Sequence, residues 1–197
     1  MQYIENKILF LGDSKSPILD WLKSIEGYVM HTSEKITTDL IHSHNIKFIV
    51  SYGYKHIICN DILELFPSKA INLHISYLPF NRGSDPNFWS FIEKTPKGVT
   101  IHYLDEGIDT GDIIVQQKVE FNKNQGTLKS SYEELQLAIQ NLFKENWKDI
   151  KNLSCKRQKQ VGNGTFHKSK DIAHYSELLK HSWDTPLYKL TEYNDEK

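Results

Sequence analysis

The first half of the chain alternates short β-rich apolar runs with segments that can coil, and this alternation constrains the fold most. Residues 7–11 (KILFL) form an apolar run that ends at Gly12 and read as a buried strand. Ser16-Pro17 then supplies an N-cap and a proline suited to a first helical position. The helix that follows, residues 17–25, gathers Ile18, Leu19, Trp21, Leu22 and Ile25 on one broad apolar face. Residues 27–31 (GYVMH) and 47–51 (KFIVS) read as the next two strands. A short helix is predicted over 61–66, capped by Asn60 and stopped by Pro67. A fourth strand covers 70–74 (AINLH), and residues 86–93 are helical. Two further strands, 98–104 (GVTIHYL) and 112–121 (DIIVQQKVEF), flank an acid- and glycine-rich turn. Strands interleaved with helices predict an α/β fold with a largely parallel sheet in its first half.

The clearest helix lies within 127–150, where Leu128, Tyr132, Leu135, Ile139, Leu142 and Phe143 recur at three and four residues. Ser130 with Glu133 offers a capping box, with Thr127 an alternative start. The tail is first polar and basic (Lys156, Arg157, Lys159), then turns at Gly162-Asn-Gly164 and reaches Phe166. Residues 181–188 (HSWDTPLY) read as packed extended chain, because aromatics in a polar tail bury against something. The expected division is a main domain over 1–150 and a short extension over 151–197 that packs on it or extends it.

Composition bounds the function. The 197 residues are 39% hydrophobic and 12% aromatic, enough for a core and against disorder. Lys plus Arg is 24 against 25 Asp plus Glu, so the basic surplus of a dedicated nucleic-acid binder is missing. No apolar run approaches a membrane span, and the apolar stretch in MQYIENKILFLG is too short for a signal peptide. Cys59 and Cys155 stand far apart and outside metal-ligand spacing. They read as free thiols in a reducing cytoplasm, with no metal site implied.

Two motifs can carry chemistry. Asn72-Leu-His74 ends a predicted parallel strand, where open α/β sheets bind ligands, and residues two apart share a face. An amide donor beside an imidazole suits acyl chemistry, the one for an oxyanion and the other for protons near neutral pH. A structural histidine fits the same pattern. Residues 105–112 (DEGIDTGD) hold three aspartates and two glycines in a tight turn. A carboxylate there can orient a histidine, although an ordinary acidic turn reads the same way, and the spacing does not suit calcium. His102 either faces the pocket or is a buried structural histidine. Arg82 in the loop before the second helix-forming proline can meet a phosphate through its fork of donors, or stand free in solvent.

Together these segments resemble the folate-dependent formyltransferase family. INLHISYLPFNRG (71–83), GVTIH (98–102) and DEGIDTGDI (105–113) stand in that family's order and spacing. The resemblance implies a Rossmann-like formyltransferase core, with a mostly parallel sheet flanked by helices and a short C-terminal appendage. It implies an enzyme that moves a formyl group from 10-formyltetrahydrofolate to an amine. The family's catalytic Asn, His and Asp fall on Asn72, His74 and Asp109. The substrate amine attacks the formyl carbon, the oxyanion takes hydrogen bonds from Asn72 and His74, and His74 or a water held by Asp109 manages the protons. The folate would lie against Tyr54, His56, Ile57, Ile58, Asp105, Gly107 and Ile108.

The acceptor follows by subtraction. Methionyl-tRNA formyltransferases carry a further barrel domain for tRNA, and formyltetrahydrofolate hydrolases a regulatory domain. Glycinamide ribonucleotide transformylases show a Gly-x-Gly-Ser-Asn phosphate loop where this chain has Gly12-Asp-Ser-Lys-Ser16. The residues 82–89 (RGSDPNFW) and 164–168 (GTFHK) look like the sugar N-formyltransferase branch. That branch implies a nucleotide-linked amino-dideoxy sugar, made for a surface polysaccharide. It implies Lys15 and Arg82 near the diphosphate, with Tyr77, Trp89 and His102 completing the substrate side. A homodimer is compatible with it, and a membrane or nucleic-acid partner is not implied. Other amines (glycinamide ribonucleotide, a carrier-bound aminoacyl group, methionyl-tRNA) and a non-catalytic folate-binding module remain as alternatives.

Overall fold

A computed structural model describes residues 7–122 and 124–193; the remainder of the N-terminal stretch weighed above as a leader lies outside them. The elements run β1 (Ile8–Gly12), α1 (Pro17–Ile25), β2 (Val29–Thr32), α2 (Thr38–His44), β3 (Phe48–Tyr52), α3 (Asn60–Leu63) and β4 (Ala70–His74). They continue through β5 (Arg82–Gly83), α4 (Pro86–Ile92), β6 (Gly98–Tyr103), β7 (Ile113–Lys118), α5 (Leu128–Lys151), β8 (Phe166–His167) and α6 (Leu187–Thr191).

Six strands form one sheet in the order β2-β1-β3-β4-β6-β7. The first four are parallel; β6 runs antiparallel to β4, and β7 antiparallel to β6. Both faces are covered. Ile8 and Phe10 point to the α1 and α5 side, with Ile18, Leu22, Ile139 and Phe143. Leu9 and Leu11 point to the other face, with Ile41 of α2 and Ile62 of α3. A strand buried on both faces must be apolar at every position, which is why β1 reads as a continuous run. The sheet is therefore the mostly parallel, helix-flanked core that the resemblance implies.

Several boundaries differ from the sequence reading, each for a local reason. The second strand begins at Val29, two residues late, where its register with Ile8 of β1 starts. The helix after β3 is one turn that already includes Asn60, with Cys59 at the N-cap position and no side-chain cap bond. α2 has no counterpart in the sequence reading, since its seven residues bury only Ile41 and show no apolar stripe. The capping box of α5 is Thr127 with Ser130: Ser130 N–H donates to Thr127 Oγ1 at 3.2 Å, and Thr127 N–H to Ser130 Oγ at 2.9 Å. The tail is not extended over 181–188. Ser182–Asp184 is a turn of 3-10 helix, and Pro186 stands at the N-cap of α6. Leu187 and Leu190 then bury against Phe88 and Phe91 of α4 and Leu128 of α5.

Candidate active site

The chain leaves β1 to one side through β2 and to the other through β3, so the strand order reverses between β1 and β3. Ligands of open α/β sheets bind beyond the strand ends at such a point. A cleft of about 1090 Å³ opens next to that point, beyond the C-terminal ends of β3 and β4. Its walls include Ser51 to Ile58 at the end of β3 and beyond it, Asn72 to Ile75 at the end of β4, and Asp105 with Gly107 to Asp109 between β6 and β7. Across from these stand residues of α4 and α5 and a run of the tail from Phe166 to Trp183.

At the cleft's centre, four side chains meet that the sequence spreads over 38 positions. Asn72 and His74 share a face of β4 by alternation. The antiparallel register sets His102 of β6 directly opposite Asn72. The turn after β6 then folds Asp109 back onto all three. Asn72 Nδ2 donates to Asp109 Oδ1 at 3.1 Å and lies 3.3 Å from His102 Nε2. His102 Nε2 is 3.3 Å from Asp109 Oδ1, and His74 Nδ1 is 3.6 Å from Asp109 Oδ2.

Backbone carbonyls settle which ring nitrogens carry protons. His74 Nε2 faces the Asn81 carbonyl at 3.0 Å, and His102 Nδ1 faces the Tyr103 carbonyl at 2.8 Å. A carbonyl only accepts, so each of those nitrogens donates. In the neutral rings, His74 Nδ1 and His102 Nε2 are left as bases, both turned to Asp109. Burial pushes the Asp109 carboxyl up. The opposing charge of His74, the hydrogen bond and charge of His102, and the Gly83 N–H outweigh it and hold the carboxyl well below the usual range. Gly83 N–H donates to Asp109 Oδ2 at 2.9 Å.

Asp109 has φ 54, a left-handed backbone for a residue other than glycine. Such strain persists where the surroundings over-determine it and clusters at functional sites. Here Gly111 allows it: a Cβ at Gly111 would stand 1.8 Å from the Tyr103 carbonyl oxygen.

The model of the family described as formyl transferase matches residues 27–146, more than half of the chain. The chain belongs to the formyl transferase family. The chain is 48% identical to PseJ from Anoxybacillus kamchatkensis, a structure in complex with UDP-4,6-dideoxy-4-formamido-L-AltNAc and tetrahydrofolate. The two superimpose with a TM-score of 0.88 over 93% of this chain and 97% of that one. WlaRD, a sugar 3N-formyl transferase in the presence of dTDP and 5-N-formyl-THF, aligns at 25% identity and a TM-score of 0.68, over 85% of this chain and 71% of that one. The methionyl-tRNA formyltransferase of Finegoldia magna is 30% identical over 145 residues, which is 71% of this chain and 46% of that protein. Across such curated relatives the chain spans between about a quarter and a half of their length.

The fold brings together some residues of the sequence reading and separates others. Tyr54, His56, Ile57, Ile58, Asp105, Gly107 and Ile108 all line the cleft. His102 is buried and belongs to the Asp109 cluster instead of a substrate wall. Trp89 is buried and stacked on His167, with ring centroids 3.8 Å apart and planes 7° from parallel, so it supports the wall from behind. Tyr77 lies outside the cleft lining, with the Lys118 ammonium over its ring. Lys15 is exposed in the loop after β1 and does not line the cleft either. The Arg82 guanidinium is committed to Gln160 Oε1, at 3.1 Å from Nε and 2.6 Å from Nη2.

Four positions in or around this centre are not among the site residues read from the sequence. Asn81 is fully buried, and its amide binds Glu93 at 3.0 Å while its carbonyl holds His74. Gln160 reaches the Asp109 turn from the tail. Tyr132 and Trp183 pack edge to face at 5.1 Å on the far wall. Among the described residues, no group of three His, Cys, Asp or Glu is placed to hold a metal, and no helix is long and apolar enough to cross a membrane.

Proposed function

We propose that the chain transfers a formyl group from 10-formyltetrahydrofolate to the 4-amino group of a UDP-linked 4-amino-4,6-dideoxy sugar. One observation carries this reading: the Asn72–His74–Asp109 cluster sits where two arms of one cleft meet, in a chain 48% identical to PseJ over nearly its whole length.

The cleft residues fit both ligands. On one arm Ile57 is 72% exposed and Ile108 43% exposed. Large apolar side chains so open at a cleft mouth suit a flat ring system that would cover them. On the other arm Phe166 and Trp183 are about half exposed beside Lys168. Aromatic faces with a cation suit a nucleotide base and its diphosphate.

The folate supplies an activated formyl carbon to an amine that needs no enzyme nucleophile. What the protein supplies is position, an oxyanion donor and a proton path. Asn72 turns one amide hydrogen from His102 to the oxygen on which negative charge develops. His74 Nδ1, unprotonated in the neutral ring and aimed at the cluster, takes the proton of the attacking amine, and the imidazolium returns a proton to the folate N10 as the bond from the formyl carbon to N10 breaks. Asp109, held ionised, is a weak resting base; it stabilises the imidazolium that forms beside it. In this reading residues 1–150 are the catalytic domain, and 151–197 form an extension that supplies the acceptor wall. The exposed thiol of Cys59 fits a reducing cytoplasm.

The test is a formyl-transfer assay with 10-formyltetrahydrofolate and a panel of amines: UDP- and dTDP-linked amino-dideoxy sugars, glycinamide ribonucleotide and methionyl-tRNA. Folate release and product mass are both read. Turnover confined to UDP-4-amino-4,6-dideoxy-L-AltNAc or a close relative is the expected result. Turnover on methionyl-tRNA alone would overturn the acceptor reading and leave the family assignment standing.

A further inference from the structure

We infer that Gln160 is a positioning residue for Asp109, the clamp by which the tail beyond α5 holds the strained catalytic turn. The inference rests on formyl transfer itself and not on the identity of the acceptor.

The tail's path puts Gln160 in place. Ile113 N–H donates to the Gln158 carbonyl at 2.7 Å, and Gln158 N–H to the Ile113 carbonyl at 2.9 Å. That antiparallel bridge sets the register. Two residues further along the tail lies Gln160, and two residues back from Ile113 lies Gly111. Gln160 Nε2 donates to the Gly111 carbonyl at 2.8 Å and to the Asp109 carbonyl at 2.8 Å. Both amide hydrogens thus go to the two carbonyls that bracket the left-handed kink.

The other end of the same amide holds the opposite side of Asp109. Oε1 accepts twice from the Arg82 guanidinium. Arg82 is the first residue of β5, and the next residue, Gly83, donates its N–H to the Asp109 carboxylate. One side chain therefore ties the Asp109 backbone to the strand that binds the Asp109 side chain. Gly83 has φ 84, and a Cβ there would stand 2.2 Å from the His167 carbonyl, so only glycine lets β5 lie this close to β8. Neither Gln160 nor Arg82 lines the cleft, so neither is placed to touch a substrate. Their four hydrogen bonds serve position alone, and a displacement of about 1 Å at a reacting group can cost of order a hundredfold in rate.

Gln160→Glu isolates the role, because it keeps the acceptors for Arg82 and replaces the donors to the two carbonyls. With 10-formyltetrahydrofolate and UDP-4-amino-4,6-dideoxy-L-AltNAc, this variant and Gln160→Ala should lower kcat about tenfold or more. KM for both substrates should stay within about twofold. Placed on an Asp109→Asn background, Gln160→Ala should cost less than about twofold more, since a clamp on an absent carboxylate has nothing to lose. Gln158→Ala, which alters a residue bonded only through its backbone, should keep wild-type kcat. Hydrogen exchange of the intact protein gives a readout independent of turnover: Gln160→Ala should speed exchange over residues 105–113 and leave the sheet unchanged. Unchanged kcat, additive losses with Asp109→Asn, or exchange raised uniformly would overturn the proposal. If the wild type leaves this sugar unformylated, the acceptor reading fails, and the exchange pattern still decides the role of Gln160.

Discussion

Asp109 joins a left-handed backbone, a buried carboxylate and contacts with two imidazoles, so single substitutions in its circle report on distinct functions. Asn72→Ala removes the amide donor and should lower kcat by about 10²–10³, the cost of one oxyanion donor; single-turnover formyl transfer measures it. The depressed carboxyl of Asp109 also links to stability. Its contribution is complete above the unfolded carboxylate range, near about pH 4, and is lost as pH falls toward its folded-state value. The stability advantage of the wild type over Asp109→Asn should therefore shrink between about pH 5 and pH 2, as urea unfolding at a series of pH values would show. A constant difference would mean that the carboxylate is not held low in the fold. At this scale the sequence was informative where chemistry and spacing coincide, as in Asn72-Leu-His74 and the aspartate turn. It was silent on Asn81 and Gln160, whose residue types occur anywhere and whose partners are other residues' backbone carbonyls.

Elements obey local rules where burial is extensive. α5 runs 24 residues because Leu135, Ile139, Leu142, Phe143, Trp147 and Ile150 keep one face against the sheet. Its start depends on Thr127, and Thr127→Ala should cost about 1 kcal/mol of stability with turnover intact, read from the unfolding midpoint. Gly111→Ala is the opposite case. A methyl group 1.8 Å from the Tyr103 carbonyl forces the turn open. The cost should be about 1–3 kcal/mol, with formyl transfer lost along with it. α2 escaped the sequence reading because a helix that buries a single residue leaves no periodic pattern to find. The helical bend of the tail was concealed in the same way, since α6 is five residues long and buries only Leu187 and Leu190.

For the whole molecule, the tail works as part of the site, closing the cleft from Phe166 to Trp183 and clamping Asp109 through Gln160. Its anchor is Leu190, wholly buried in the cluster with Phe88 and Phe91. Leu190→Ala should destabilise by about 2–5 kcal/mol, and protease nicking after residue 160 should quicken as the anchor loosens. The sequence by itself determined the sheet with its helical cover, because apolar runs and coil-forming segments alternate. It also placed Asn72 and His74 at the end of a strand where ligands bind, and the family resemblance singled out Asp109 in the acidic turn. Only the tertiary structure decided that His102 joins that cluster, that Trp89 turns away from the cleft, and that Arg82 is engaged by Gln160. These outcomes depend on strand register and on where a distant tail returns. Both are settled by contacts between residues far apart in the chain, and periodicity along the chain cannot record them.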